Sequence, residues 1–187
     1  MRVITGKARG KKLVAPEGLD TRPTSDRVKE AIFNIIQFDI EGRHALDLFC
    51  GSGQLGIEAL SRGAYSCVFA DMSRQATDIA RKNIANCGFA EQSEVYCGDG
   101  LSILSRMKKG RFGLIFLDPP YHTDLLKNSL LKICTLDLLA QGGIIICETE
   151  KGMPLPTLPA PYRVMKEYNY GRTVIVTVTR DGEEEPQ

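Results

Sequence analysis

Apolar positions along this chain form short runs that alternate with longer stretches of helical periodicity. In "RPTSDRVKEAIFNII", Val28, Ala31, Ile32, Ile35 and Ile36 recur at spacings of three and four, which predicts a helix with one buried face. Thr24, Ser25 and Asp26 precede that face as N-cap side chains. From His44 onward, "HALDLF", "SCVFA", "EVYC", "FGLIFL" and "GGIIICET" read as strands. Between them, "QLGIEALSRG", "RQATDIARKNIANCG", "LSILSRM" and "LLKNSLLKICTLDLL" read as helices, the first two stopped by glycine. Regular strand–helix alternation needs crossover connections. It therefore predicts an α/β fold with a doubly wound, mainly parallel sheet covered on both faces. "YRVMKEYNY" and "TVIVTVT", joined by Gly171-Arg172, predict a C-terminal antiparallel hairpin. Residues 2–5 and 11–15 predict a small N-terminal hairpin around Gly6 and Gly10.

The 187 residues suit one domain over 1–180, with a hairpin extension at 1–20 and an α/β core at 21–180. Residues 181–187, "DGEEEPQ", are expected to form a disordered acidic tail. With 43% hydrophobic and 25% charged residues the composition is globular, and a chain this long needs no disulfide or metal to fold. It has neither a bilayer-length apolar run nor a signal-peptide core, so a cytoplasmic protein without membrane contact is expected, as a monomer. Six cysteines lack any Cys-x-x-Cys pair, and His44 and His122 lie far apart; this argues for reduced core thiols and against a zinc site. The net charge of +1 conceals an asymmetry, because the first dozen residues carry Arg2, Lys7, Arg9, Lys11 and Lys12 and no acid. Lys7, Arg9, Lys11 and Lys12 are candidate RNA-phosphate contacts; the same run also suits a solvated edge hairpin.

Two motifs carry chemistry. "LDLFCGSGQLG" contains Gly51-Ser52-Gly53-Gln54-Leu55-Gly56, a G-x-G-x-x-G between a strand and a helix, where glycines let backbone approach a ligand closely. Asp71, twenty positions after Gly51 at the end of the next strand, is placed to accept ribose hydroxyls. Asp47 ends the strand before the loop. A carboxylate there is unfavourable beside a pyrophosphate and favourable beside an ammonium or sulfonium. Two acids around the loop therefore fit S-adenosylmethionine better than a nicotinamide dinucleotide. Asp99, in "CGDG", is placed either for the adenine end or as a helix N-cap, and one residue can do both. The candidate cofactor contacts are Asp47, Phe49, Gly51, Ser52 and Gly53, with Asp71-Met72 and Asp99-Gly100.

The second motif is "LIFLDPPY". An acid and two prolines end an apolar strand, where a doubly wound sheet binds its ligands. Asp118 and the Pro119 carbonyl offer two acceptors for a planar –NH2, Pro120 stiffens the bend, and Tyr121 gives a flat face for a base. Asp118, Pro119, Pro120 and Tyr121 are thus the candidate catalytic residues. The pattern needs no metal and no covalent nucleophile.

"DLFCGSGQLG" and "DPPY" resemble the motifs of S-adenosylmethionine-dependent amino-methyltransferases. "MRVITGKARGKKLVAPEGLDTRPTSDRVKEAIFNII" together with "LDLFCGSGQLGIEALSRGA" resembles the RsmD family, bacterial 16S rRNA guanine-N2 methyltransferases, over residues 1 to about 180. Cys50 stands where that family leads one to expect alanine, and Met72 follows Asp71 where relatives vary; neither removes a needed group. The resemblance implies a Rossmann-like methyltransferase fold acting on one guanine of 16S rRNA in the small ribosomal subunit or its assembly intermediate. It also implies that Arg22 and Thr24 lie over the methionine end of the cofactor. Rival readings are an adenine-N6 or glutamine-amide methyltransferase with the same pocket, a nicotinamide-dependent oxidoreductase, and a non-catalytic RNA-binding assembly factor.

Overall fold

The computed structural model describes residues 1–15 and 26–181. Seven strands, β1 (His44–Asp47), β2 (Ser66–Asp71), β3 (Ser93–Cys97), β4 (Phe112–Leu117), β5 (Leu139–Glu150), β6 (Tyr162–Tyr170) and β7 (Thr173–Arg180), form one sheet in the order β3-β2-β1-β4-β5-β7-β6. β1 to β5 are parallel, and β7 runs antiparallel between β5 and β6. The α/β class and the C-terminal hairpin are as the alternation predicts. The chain winds outward from β1 in one direction and from β4 in the other, so the switch point lies between these two neighbours.

Helices α1 (Asp26–Ile35), α2 (Gln54–Ser61), α3 (Arg74–Cys87), α4 (Gly100–Leu104) and α5 (Leu125–Thr135) cover both faces. Strand alternation divides the core. Ala45, Leu114 and Phe116 pack with Ile32, Phe33, Ile57 and Ile84 of α1–α3. Leu46, Ile115 and Leu117 pack with Ile103, Leu104, Leu130 and Ile133 of α4 and α5. A strand apolar on both faces has no alternation to read, which is why these segments appear as continuous apolar runs.

The main departures concern extents. α4 stops at Leu104, α5 stops at Thr135, and β5 starts at Leu139, three residues before the predicted strand and on the last residue that the periodicity assigns to the preceding helix. The N-terminal segment makes one isolated antiparallel bridge, Arg2 to Lys12, rather than two strands. Val3, Gly10 and Leu13 N–H donate within the segment, to the carbonyls of Lys11, Val3 and Met1, and other amides are satisfied by α2. Ile4 N–H and Thr5 N–H donate to the Glu58 carboxylate at 2.8 and 3.0 Å, and Ala8 N–H donates to Ser61 Oγ at 3.0 Å. Val3, Ala8 and Leu13 are buried in the core of the α1–α3 face. Of the N-cap candidates, Thr24 and Ser25 lie outside the described residues, and Asp26 opens α1.

Candidate active site

The C-terminal ends of β1, β2 and β4, with the turn after β3, bring four carboxylates to one edge of the sheet: Asp47, Asp71, Asp118 and Asp99. Asp47 pairs in register with Phe116, two residues before Asp118. The glycine loop and the Asp-Pro-Pro-Tyr turn therefore leave adjacent strands at the switch point.

Each loop residue has a traceable role. Gly53 adopts a left-handed conformation (φ 81°) and turns the chain into α2. Gly56 is required by packing: a Cβ there would stand 2.3 Å from Phe69 Cε1 and 2.7 Å from Cys67 Sγ on β2. Asp71 fastens the loop, accepting Gly51 N–H at Oδ2 and Ser73 N–H at Oδ1, both at 2.9 Å. Phe49 is half-buried against the α4–α5 core. Ser52 is buried and turns its hydroxyl toward Met1 Sδ at 3.7 Å, so the structure does not bring that hydroxyl to the open side of the loop.

Asp47 differs most from the sequence expectation of a carboxylate aimed outward. It is only 2% exposed and accepts the Gly56 N–H at 2.9 Å, beneath the first turn of α2. Burial pushes its carboxyl up to about 7, with the charges of Asp118 and Asp71 adding to the rise and the Gly56 bond opposing it. A register of nine residues, unreadable from strand periodicity, folds Gly56 back over Asp47.

Asp99 caps α4 through Ser102 N–H at 2.8 Å and Ser102 Oγ at 2.7 Å. Those two bonds hold its carboxyl below the usual range. Both use Oδ2, so the cap role is shown. Met72 is 70% exposed beside Asp71, a large apolar side chain left at the strand edge. Arg22 and Thr24 lie outside the described residues.

In the second motif Pro119 is buried and Asp118 and Tyr121 are half-buried. Thr123 Oγ1 donates to the Pro120 carbonyl at 2.9 Å, closing the turn. The Tyr121 hydroxyl donates to Glu148 Oε1 at 2.9 Å and lies 3.3 Å from Thr173 Oγ1. Burial, with the neighbouring Glu148 charge, pushes the phenol up to about 12, so it stays protonated. His122 takes a left-handed conformation (φ 60°) and sits 3.0 Å from Glu150, which also pairs with Arg172. The motif is thus tied at two points to β5 and β7. Sequence reasoning missed Glu148 and Thr173, although Glu148 interrupts the apolar run "IIICET" as Asp118 ends "LIFL".

Lys7, Arg9, Lys11 and Lys12 are all exposed. Lys7 N–H bonds to the Ser61 carbonyl at 2.8 Å, which puts the hairpin tip at the far end of α2 from the glycine loop. Among the described residues no helix is long and apolar enough to cross a membrane.

A parallel sheet with this order, a glycine loop at the switch point and an Asp-Pro-Pro-Tyr turn beside it define a Rossmann-like methyltransferase. The chain matches the family described as Conserved hypothetical protein 95 over residues 1–179 and belongs to it, the RsmD family of the sequence resemblance. A Haemophilus influenzae relative named Ribosomal RNA small subunit methyltransferase D is 37% identical, covering 91% of this chain and 89% of its own. One of the same name from Escherichia coli (strain K12) is 34% identical over 99% and 92%. The solved structure of yhhF from Escherichia coli superposes with a TM-score of 0.86 at 35% identity, covering 97% of this chain and 98% of that one.

Proposed function

We propose that this chain methylates the exocyclic N2 amine of one guanine in small-subunit rRNA, with S-adenosylmethionine as methyl donor. The observation that carries the reading is the Asp118–Tyr121 turn beside the glycine loop, in a chain whose relatives are named for small-subunit rRNA.

The residues present fit that donor. The strand ends are lined by acids, which suit an ammonium, a sulfonium and ribose hydroxyls and disfavour a pyrophosphate. Asp71 and Asp99 would hold the nucleoside end, with Met72 against its base and the loop Gly51–Gly53 beneath it. Asp47 acts through Gly56, whose N–H it accepts, rather than by direct contact. The bound cofactor supplies an electrophilic methyl group.

The remaining chemistry belongs to the chain. Tyr121, its hydroxyl anchored on Glu148, presents a ring face on which an extruded base stacks. Thr123 occupies the Pro120 carbonyl, so the acceptors for the two N2–H bonds are Asp118 and the Pro119 carbonyl. They orient the nitrogen lone pair for in-line attack. The N–CH3 bond forms as the methyl group leaves its sulfur, and the nitrogen gives up a proton as it becomes acidic. Positioning and electrostatics supply most of the rate gain.

Small ribosomal subunits lacking the modification, incubated with labelled S-adenosylmethionine and protein, should yield N2-methylguanosine on nucleoside mass spectrometry. N6-methyladenosine, or label in DNA or protein supplied in parallel, would overturn the substrate. Asp118→Ala should reduce turnover by at least a hundredfold, the scale of losing a positioned catalytic group, with cofactor affinity unchanged by calorimetry. A parallel loss of affinity would show that Asp118 serves the cofactor instead.

A further inference from the structure

Along β6 an open groove of about 570 Å³ is lined by Arg27, Glu30, Asn34 and Ile35 of α1 and by Tyr168 and Tyr170. That volume lies among ligand-sized pockets, roughly 300–1,000 Å³. The register ties the groove to the site. Tyr170 pairs across the sheet with Thr173, Thr173 pairs with Glu150, and Thr173 Oγ1 lies 3.3 Å from the Tyr121 hydroxyl. Tyr168 pairs with Ile175, which pairs with Glu148, the residue that holds Tyr121. Directly opposed residues share a face of the sheet, so Glu148, Ile175 and Tyr168 make one row and Glu150, Thr173 and Tyr170 the next, both on the side covered by α1, and the Tyr121 hydroxyl touches one member of each. Adjacent strands lie roughly 4.8 Å apart, which sets the groove about one strand spacing beyond Thr173.

The lining is not that of ordinary core. Tyr168 and Tyr170 are only half-buried on an edge strand whose residues 163–167 are exposed. Lys166 Nζ stands 5.0 Å from the centre of the Tyr168 ring, and Arg27 supplies a second cation from the opposite wall. Asn34 and Glu30 offer a donor and acceptors of the kind base edges use.

We infer that this groove is a second base subsite, holding an unpaired nucleotide that neighbours the guanine delivered to Tyr121. The inference rests on the RNA reading above. Extruding one base strips its neighbours of stacking partners, and aromatic faces next to cations are what such nucleotides find favourable. Tyr168 and Tyr170 stack on the base, and Arg27 and Lys166 meet its phosphates. The occupant is single-stranded RNA continuous with the target, so the groove contributes to RNA affinity and leaves cofactor binding alone.

The test compares wild-type protein with Tyr168→Ala, Tyr170→Ala, Tyr170→Phe and Arg27→Ala. Readouts are KM for unmodified small subunits, calorimetric affinity for S-adenosylmethionine, and melting temperature. Each Tyr→Ala should raise KM roughly tenfold, the scale of losing one stacked base, with cofactor affinity unchanged. Tyr170→Phe should restore KM, because stacking uses the ring. Arg27→Ala should shrink the slope of log affinity against log salt by about 1. An unmoved KM in an active wild-type background would overturn the groove and leave the RNA reading standing. So would loss of cofactor affinity or melting temperature in proportion to KM, the behaviour of internal packing. A wild-type protein inactive on every RNA removes the RNA reading, and the groove with it.

Discussion

Glu58 is a fully buried carboxylate on α2 that accepts Ile4 N–H, Thr5 N–H and Arg62 Nε. Lys29, equally buried on α1, sits 3.5 Å from it and donates to the Arg2 carbonyl at 2.6 Å. Burial lowers the lysine's pKa against the pull of the Glu58 charge. Removing one member of a buried pair strands the other, so Glu58→Ala should cost about 3–5 kcal/mol in urea unfolding. Asp47 makes a separate prediction. Its folded pKa of about 7 exceeds the ordinary aspartate value of 3.8, so between these limits the native state binds the proton and the unfolded state does not. Stability must then fall as pH rises from about 4 to 7 and level off above. Asp47→Asn keeps an acceptor for Gly56 and should flatten that fall, raising the melting temperature at pH 8 and not at pH 4. An unchanged slope would show that Asp47 is ionised throughout. The places of Asp47 and Asp118 at strand ends were legible in the sequence, because an acid interrupts each apolar run, but the burial of Asp47 beneath Gly56 was not. Lys29 and Glu58 were not: charges on helices are usually solvated, and only the packing of α1 on α2 buries these two together.

Strands and helices were legible wherever local pattern and final burial agree, as for β4, whose predicted span from Phe112 to Leu117 is the observed one. Boundaries slipped where a hydrogen bond from elsewhere sets the end. The N-terminal hairpin is the clearest case, since the amides of Ile4, Thr5 and Ala8 are claimed by Glu58 and Ser61 at separations above fifty residues. The third glycine of the loop gives a prediction at this scale. Gly56 lets α2 lie directly on β2, and a methyl group there meets the Phe69 ring. Gly56→Ala should destabilise the fold by about 1–3 kcal/mol through overpacking. Phe69→Leu in the same chain should recover part of that loss in thermal unfolding. If the double variant is merely the sum of its parts, the contact is not what makes Gly56 necessary.

Across the whole molecule, acids and bases are segregated along α2. The carboxylates gather at the strand ends by its first turn, and the basic hairpin tip docks at its last, through Lys7 N–H to the Ser61 carbonyl. Eight helical residues at 1.5 Å each separate the two ends by roughly 12 Å. A net charge of +1 hides this arrangement. An RNA that fills the site and also reaches Lys7 and Arg9 must therefore extend past the length of α2. Replacing both with alanine should weaken binding to whole subunits and shrink the salt slope by about 2, one per lost phosphate contact. A short single-stranded oligonucleotide carrying only the target should lose nothing, because it ends before the hairpin tip. Equal losses on both substrates would place these cations against the RNA close to Tyr121. No loss on either would leave the basic run as a solvated edge, whose charge keeps the hairpin from pairing with other chains.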